Sequence, residues 1–335
     1  MNSKHVKSPC CQAKIRRFGQ RRRQCGLCKK TWTIRRKKRG RPRHRVSSNL
    51  LREVFLRNFA LKQLFSGRIK VGLPAFRYRC RQAMARFLAI PYRYPVPKGP
   101  LILLADALWF QFGGKRWTLY LTALKACQGN TAYFLRPSLV LGKEGAYTWA
   151  AVINEIPTEV RARICAIIAD NLRGMQALAE RNNWVLQLCQ FHMLMKLQLH
   201  KGGFHRKLRG GRTREETDKL IRYAMATTDA HKLNVTVGRL NEICEKSCGT
   251  KRMKGVVREF VNCISFYRAY LNYPKLGLPT TTNTMEAMSG LIRSLLRRTR
   301  AGSNPESLEM WATTLVKMKG RLLCNGRNIN RLILP

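Results

Sequence analysis

The first 105 residues contain a single acidic residue, Glu53, among a dense population of Lys and Arg. A stretch so one-sided holds almost no internal counter-ions, so a partner must supply negative charge before it can be held close. Asp106 ends that regime, and beyond it carboxylates are interspersed among apolar runs. The whole chain of 335 residues carries 65 Lys and Arg against 17 Asp and Glu, a net charge of +48. Nucleic acid is the natural polyanion. A membrane surface suits the chain less, because basic membrane-surface proteins are usually short and amphipathic. This one is 45% hydrophobic and long enough for two or three domains. No run reaches the roughly 18 apolar residues of a spanning helix, and the start of the chain shows no apolar signal-peptide core. The expectation is a cytoplasmic protein without a membrane partner, bound to double-stranded DNA.

Four of the 12 cysteines fall before residue 30. In a large chain without a secretory signal, clustered cysteines point to reduced thiols around a metal rather than to disulfides. Cys25-Gly-Leu-Cys28 is a zinc knuckle flanked by basic residues. The other half of the ribbon is irregular: Ser-Pro-Cys-Cys puts Ser8 where the first cysteine of a Cys-Pro-x-Cys knuckle would stand. Cys11 stays in register, and Cys10 or His5 is the substitute, so Cys11, Cys25, Cys28 and one of those two are expected to hold a structural Zn²⁺.

Pattern and punctuation divide the rest. Residues 1–34 read as the zinc ribbon and 35–46 as a basic linker. Within the linker, Arg39-Gly-Arg41-Pro resembles an AT-hook whose arginines enter a narrow minor groove. Residues 47–96 show apolar positions at helical spacing, a helix-turn-helix-like DNA-binding domain whose second helix carries Arg77, Arg79 and Arg81 toward phosphate. After the helix-breaking YPVPKGP, the order is strand, hairpin turn at FGGK, strand, extended run, helix, strand, helix, strand. That is the order of an α/β ribonuclease H-like domain, expected over 97–192 and 276–325. An all-α insertion is expected over 193–275.

Asp106 stands inside the apolar strand ILLADALWF, where an unpaired carboxylate costs several kcal/mol and calls for a cation or hydrogen-bond donors. Asp170 ends a second buried strand, and Glu286 follows on a later helix. Each of the latter two also has an ordinary reading: Asp170 as the cap of the helix that follows, and Asn283 with Glu286 as a capping box.

The strings ILLADALWF, IIADNLRGM, LCQFHML and TTNTMEAMSGLIRSLLRR, in that order, resemble the catalytic core of DDE transposases of prokaryotic insertion sequences, in the Mutator-like group. The resemblance covers roughly residues 100–320. It implies a ribonuclease H-like fold with Asp106, Asp170 and Glu286 as the catalytic triad, holding two Mg²⁺ or Mn²⁺ ions. It also implies Cys189 and His192 as an accessory Cys-x-x-His pair supporting the active site; a structural pair, or a second zinc site with His200 or His205, stays open. The implied activity is binding of terminal inverted repeats, cleavage of DNA, and transfer of 3′-hydroxyl ends to target DNA by a homodimer or higher oligomer near the nucleoid. The alternatives are a catalytically idle DNA-binding regulator of transposase descent and a ribonuclease H-like nuclease.

Overall fold

A computed structural model describes residues 7–20, 22–33, 48–56, 72–91, 96–198, 211–245, 250–300 and 302–324. His5, Arg39, Arg41, His200 and His205 lie outside the described residues. The chain forms two compact units, Met1–Arg45 and Val46–Pro335.

The first unit is a three-stranded antiparallel sheet of β1 (Ile15–Arg17), β2 (Arg22–Cys25) and β3 (Thr31–Thr33). Gly26 follows β2 in the turn, donating its N–H to the Lys14 carbonyl at 2.9 Å. A Cβ there would come within 2.7 Å of that oxygen, so only glycine permits the approach.

The second unit is a mixed α/β structure around a seven-stranded sheet, an arrangement compatible with a ribonuclease H-like fold. Its axis is β4 (Leu101–Phe112), which pairs antiparallel with β5 (Lys115–Ala126) over its full length. Gly113 and Gly114 join them with φ of +53° and +75°, the two left-handed residues that a tight two-residue hairpin demands. On its other edge β4 pairs in parallel with β8 (Ile164–Ala169), which pairs in parallel with β9 (Val185–Leu188). On the far side β5 pairs antiparallel with β6 (Thr131–Phe134) and β7 (Ser138–Leu141), and β6 with β10 (Arg321–Leu323). The extended run at 131–140 is thus two strands, broken at Pro137, and the chain adds an edge strand after its last helix.

Both faces of the sheet are covered, so β4 is apolar on successive residues rather than alternately. Ile102, Leu104 and Leu108 join the core beneath helices Asn283–Thr299 and Pro305–Lys319. Leu101, Leu103 and Ala105 join the opposite core, beneath helices Ala146–Asn154, Met175–Arg181, Gln190–Gln198 and Lys251–Asn262.

Helices Ser48–Leu56 and Leu73–Ala89 pack into the first of these cores. Leu51, Val54, Phe55, Phe76, Cys80 and Met84 are buried there, and the Phe55 ring stacks on Trp311 at 5.1 Å. The outer side of the second helix leaves Arg77, Tyr78 and Arg81 exposed, while Arg79 is half-buried. Among the described residues no helix is long and apolar enough to cross a membrane, and every cysteine is free.

Because Phe55 and Trp311 share one buried contact, Phe55→Ala and Trp311→Ala should each lower stability by about 3–5 kcal/mol. The double variant should lose less than the sum. Urea unfolding of the full chain measures this, and strict additivity would mean the two rings are not coupled.

Candidate functional site

In the first unit the sulfurs of Cys10, Cys11, Cys25 and Cys28 lie within 4.8 Å of one another. A tetrahedral zinc with Zn–S bonds of about 2.3 Å sets its sulfurs about 3.8 Å apart, so the four fit that ion with little movement. Among the described residues Cys10 is the fourth sulfur of the cluster, with its Sγ 3.3 Å from that of Cys28. Ser8 is itself buried and lies beneath the cluster: its Oγ accepts from the Ala13 N–H at 3.0 Å and is 3.2 Å from Cys25 Sγ. That contact, with the N–H groups of Cys28 and Leu27, pulls the Cys25 thiol down to about 6. Sharing with Cys28 pushes Cys11 up to about 12. Crowded thiols that resist joint ionisation are relieved by a cation among them.

In the second unit, Asp106, His192 and Glu286 bring ligand atoms within 4.8 Å of one another. Asp106 falls on the face of β4 turned to the Asn283–Thr299 helix, two residues beyond Leu104 on the same side. It is 8% exposed. Its Oδ1 accepts from the Ala107 N–H at 2.9 Å and its Oδ2 from Ser289 at 3.3 Å, one turn along the helix from Glu286. Burial first, and the Glu286 charge second, hold Asp106 up at about 7, with His192 opposing them.

Glu286 does not turn back to close a capping box. The helix is capped at Thr282 without a side-chain bond, and the carboxylate meets His192 Nε2 at 2.9 Å. Burial alone would lower the His192 pKa. The Cys189 sulfur, the Glu286 carboxylate and the charge of Asp170 overcome it and raise the imidazole to about 11. His192 Nδ1 is buried with no hydrogen-bond partner among the described residues. Cys189 directly follows β9 and is buried, with its Sγ accepting from the Thr282 N–H at 3.3 Å. The Cys-x-x-His pair thus fastens the start of the Glu286 helix to the end of the parallel strands.

Asp170 lies two residues past the last β4–β8 pair, Leu104↔Ile168, as Asp106 does on its own strand. It does not cap the following helix, which starts after Gly174. Its Oδ1 accepts from the Asn171 N–H at 2.7 Å. It stands outside the Asp106, His192 and Glu286 cluster, though its charge is felt at His192.

A fourth carboxylate, Glu144, adjoins these groups. Its Oε1 accepts from Trp149 Nε1 at 2.8 Å, and Trp149 is buried edge-on against Tyr120. Burial raises its pKa and Asp170 adds to the effect, while Glu144 in turn raises Asp106. In the sequence it sits in Gly-Lys-Glu-Gly, which reads as an exposed turn; the indole five residues on is the signal that ties it down. Asp106 and Glu286 are hard oxygen donors crowded in a half-buried site, a donor set that fits a divalent cation such as Mg²⁺ or Mn²⁺.

Two outcomes follow for these clusters. Purified protein should carry about one zinc per chain, and Cys25→Ser or Cys28→Ser should lose it, as read by metal analysis; zinc-free wild type would refute the ribbon reading. With divalent metal chelated, Asp106 binds its proton more tightly folded than unfolded. Its stabilising contribution is therefore complete below about pH 4 and is lost as pH rises through about 7. Asp106→Asn should then gain on wild type by about 1.4 kcal/mol per pH unit across that window. Urea unfolding at a series of pH values would contradict this by showing a constant difference.

No family model matches the chain, and no curated protein matches it. Among solved structures it is similar to the "Drosophila P element transposase strand transfer complex", with 11% sequence identity and a TM-score of 0.39, covering 85% of this chain and 100% of that chain. The functional reading therefore rests on the residues themselves.

Proposed function

We propose that the chain is a DNA transposase of the DDE type with a ribonuclease H-like catalytic domain, resembling the Mutator-like group of prokaryotic insertion sequences. The observation that carries this reading is Asp106: a carboxylate 8% exposed on the central strand, facing Glu286 from a helix 180 residues later, with Asp170 at the end of the neighbouring parallel strand. No structural need puts an acid there. Bound at Asp106, Asp170 and Glu286, two Mg²⁺ or Mn²⁺ ions supply activation of the attacking oxygen and stabilisation of the leaving oxygen in phosphodiester cleavage and rejoining.

The chain's own residues prepare that chemistry. Ser289 and the Ala107 N–H fix the rotamer of Asp106, so that its charge is held rather than solvated. His192 neutralises Glu286 and keeps its carboxylate aimed at Asp106. Cys189, bonded to the Thr282 N–H, holds the first turn of the Glu286 helix against the sheet. Arg77, Arg79 and Arg81, with Arg39 and Arg41 of the basic linker, serve as contacts to the DNA of the element's ends. The Cys10, Cys11, Cys25 and Cys28 zinc ribbon adds a second grip, and a homodimer or higher oligomer would pair two ends.

One observation favours the idle-regulator reading: His192, not Asp170, completes the tight cluster. A single assay separates them. Labelled duplex bearing the element's ends, incubated with the protein and Mg²⁺ or Mn²⁺, should yield nicked and joined products. Asp106→Asn, Asp170→Asn and Glu286→Gln should each reduce those products by several orders of magnitude while end binding persists. End binding by wild type with neither product would support the regulator, nicks without joining a nuclease, and full activity in Asp106→Asn would end the metal mechanism.

A further inference from the structure

Glu259 lies on the Lys251–Asn262 helix, part of the helical stretch that follows β9, and has no place in the mechanism above. Its Oε1 accepts from Asn171 Nδ2 at 2.8 Å and from Lys196 Nζ at 2.5 Å. Both donors adjoin the site. Asn171 follows Asp170 and gives its own N–H to Asp170 Oδ1 at 2.7 Å. Lys196 comes one turn after His192 on the Gln190–Gln198 helix, on the same side of it. One carboxylate oxygen therefore joins the two segments that present Asp170 and His192.

We propose that Glu259 is a positioning residue for the metal site, holding the Asp170 loop and the His192 helix at a fixed separation and so making the Lys251–Asn262 helix a working part of the site. The inference rests on the metal reading above. The Lys196–Glu259 pair is about a third exposed on each side, 27% and 31%, and such pairs add little to global stability. What the pair does supply is geometry, because a single oxygen accepting two donors from different elements restrains both. It also occupies the Lys196 ammonium. Without Glu259, that cation is left close to Asn171, free to compete with a divalent ion for the Asp170 carboxylate. Groups that orient metal ligands without touching the metal typically change metal affinity about 10- to 100-fold when lost.

The test is Mn²⁺ titration of the full chain followed by electron paramagnetic resonance, with melting temperatures recorded beside it. Glu259→Gln and Asn171→Ala should weaken Mn²⁺ binding about 10- to 100-fold while melting close to wild type. Glu259→Asp, which retains the charge, should recover part of the affinity. Asp218→Asn serves as the control: Asp218 is buried on the Gly211–Ala226 helix and pairs with Arg222 at 2.7 Å, so its loss should lower the melting temperature and spare Mn²⁺ binding. Wild-type Mn²⁺ affinity in Glu259→Gln would overturn this inference alone. If that variant unfolds, wild-type affinity in Asn171→Ala overturns it instead. Mn²⁺ binding that Asp106→Asn leaves unchanged would overturn the metal reading and this inference with it.

Discussion

The second unit depends on β4 being paired along both edges and covered on both faces. Its hairpin with β5 uses every backbone group on one side, and its parallel pairing with β8 uses the other side as far as Leu104↔Ile168. A carboxylate on such a strand has no route to water except past the helix that covers it. The position of Asp106 therefore decides what that helix must carry, and Asn283–Thr299 brings Glu286 and Ser289, one turn apart, to the acid. The parallel pairing of β4 with β8 ends at Leu104↔Ile168. The end of a parallel sheet is where backbone groups and charged side chains can meet a ligand without breaking a ladder.

Much of this was legible because local chemistry allows few alternatives. FGGK has to be a tight turn, since two successive residues with positive φ suit glycine best. Asp106 stands out because an acid inside an apolar strand costs more than strand propensity repays. The Cys25 and Cys28 knuckle is a local signature, whereas the approach of Cys10 to it depends on the fold around Ser8.

What escaped reading was long-range. The shared core of Phe55 and Trp311 links residues 256 positions apart, and nothing in either amphipathic pattern names the other as partner. Glu144 depends on an indole in the next helix and on a strand that ends near residue 170. The ion pair of His192 with Glu286, with Asp170 outside that cluster, joins residues far apart in the chain, which hydrophobic periodicity does not record. β10 is three residues long and pairs at a sheet edge, too short for alternation to show.

The alternation along β4 also gives the site a parity. Ile102, Leu104 and Asp106 share a face because they are spaced by two, and Leu101, Leu103 and Ala105 occupy the other. Removing or adding one residue between Asp106 and the turn at Gly113 and Gly114 would leave the strand as apolar as before and the turn itself intact. It would nevertheless swing the carboxylate to the side of Tyr120 and Trp149, away from Glu286. Sequence drift in this chain can thus exchange one branched side chain for another along the strand, but it cannot change the spacing between the acid and its hairpin turn by an odd number and keep the acid where it is.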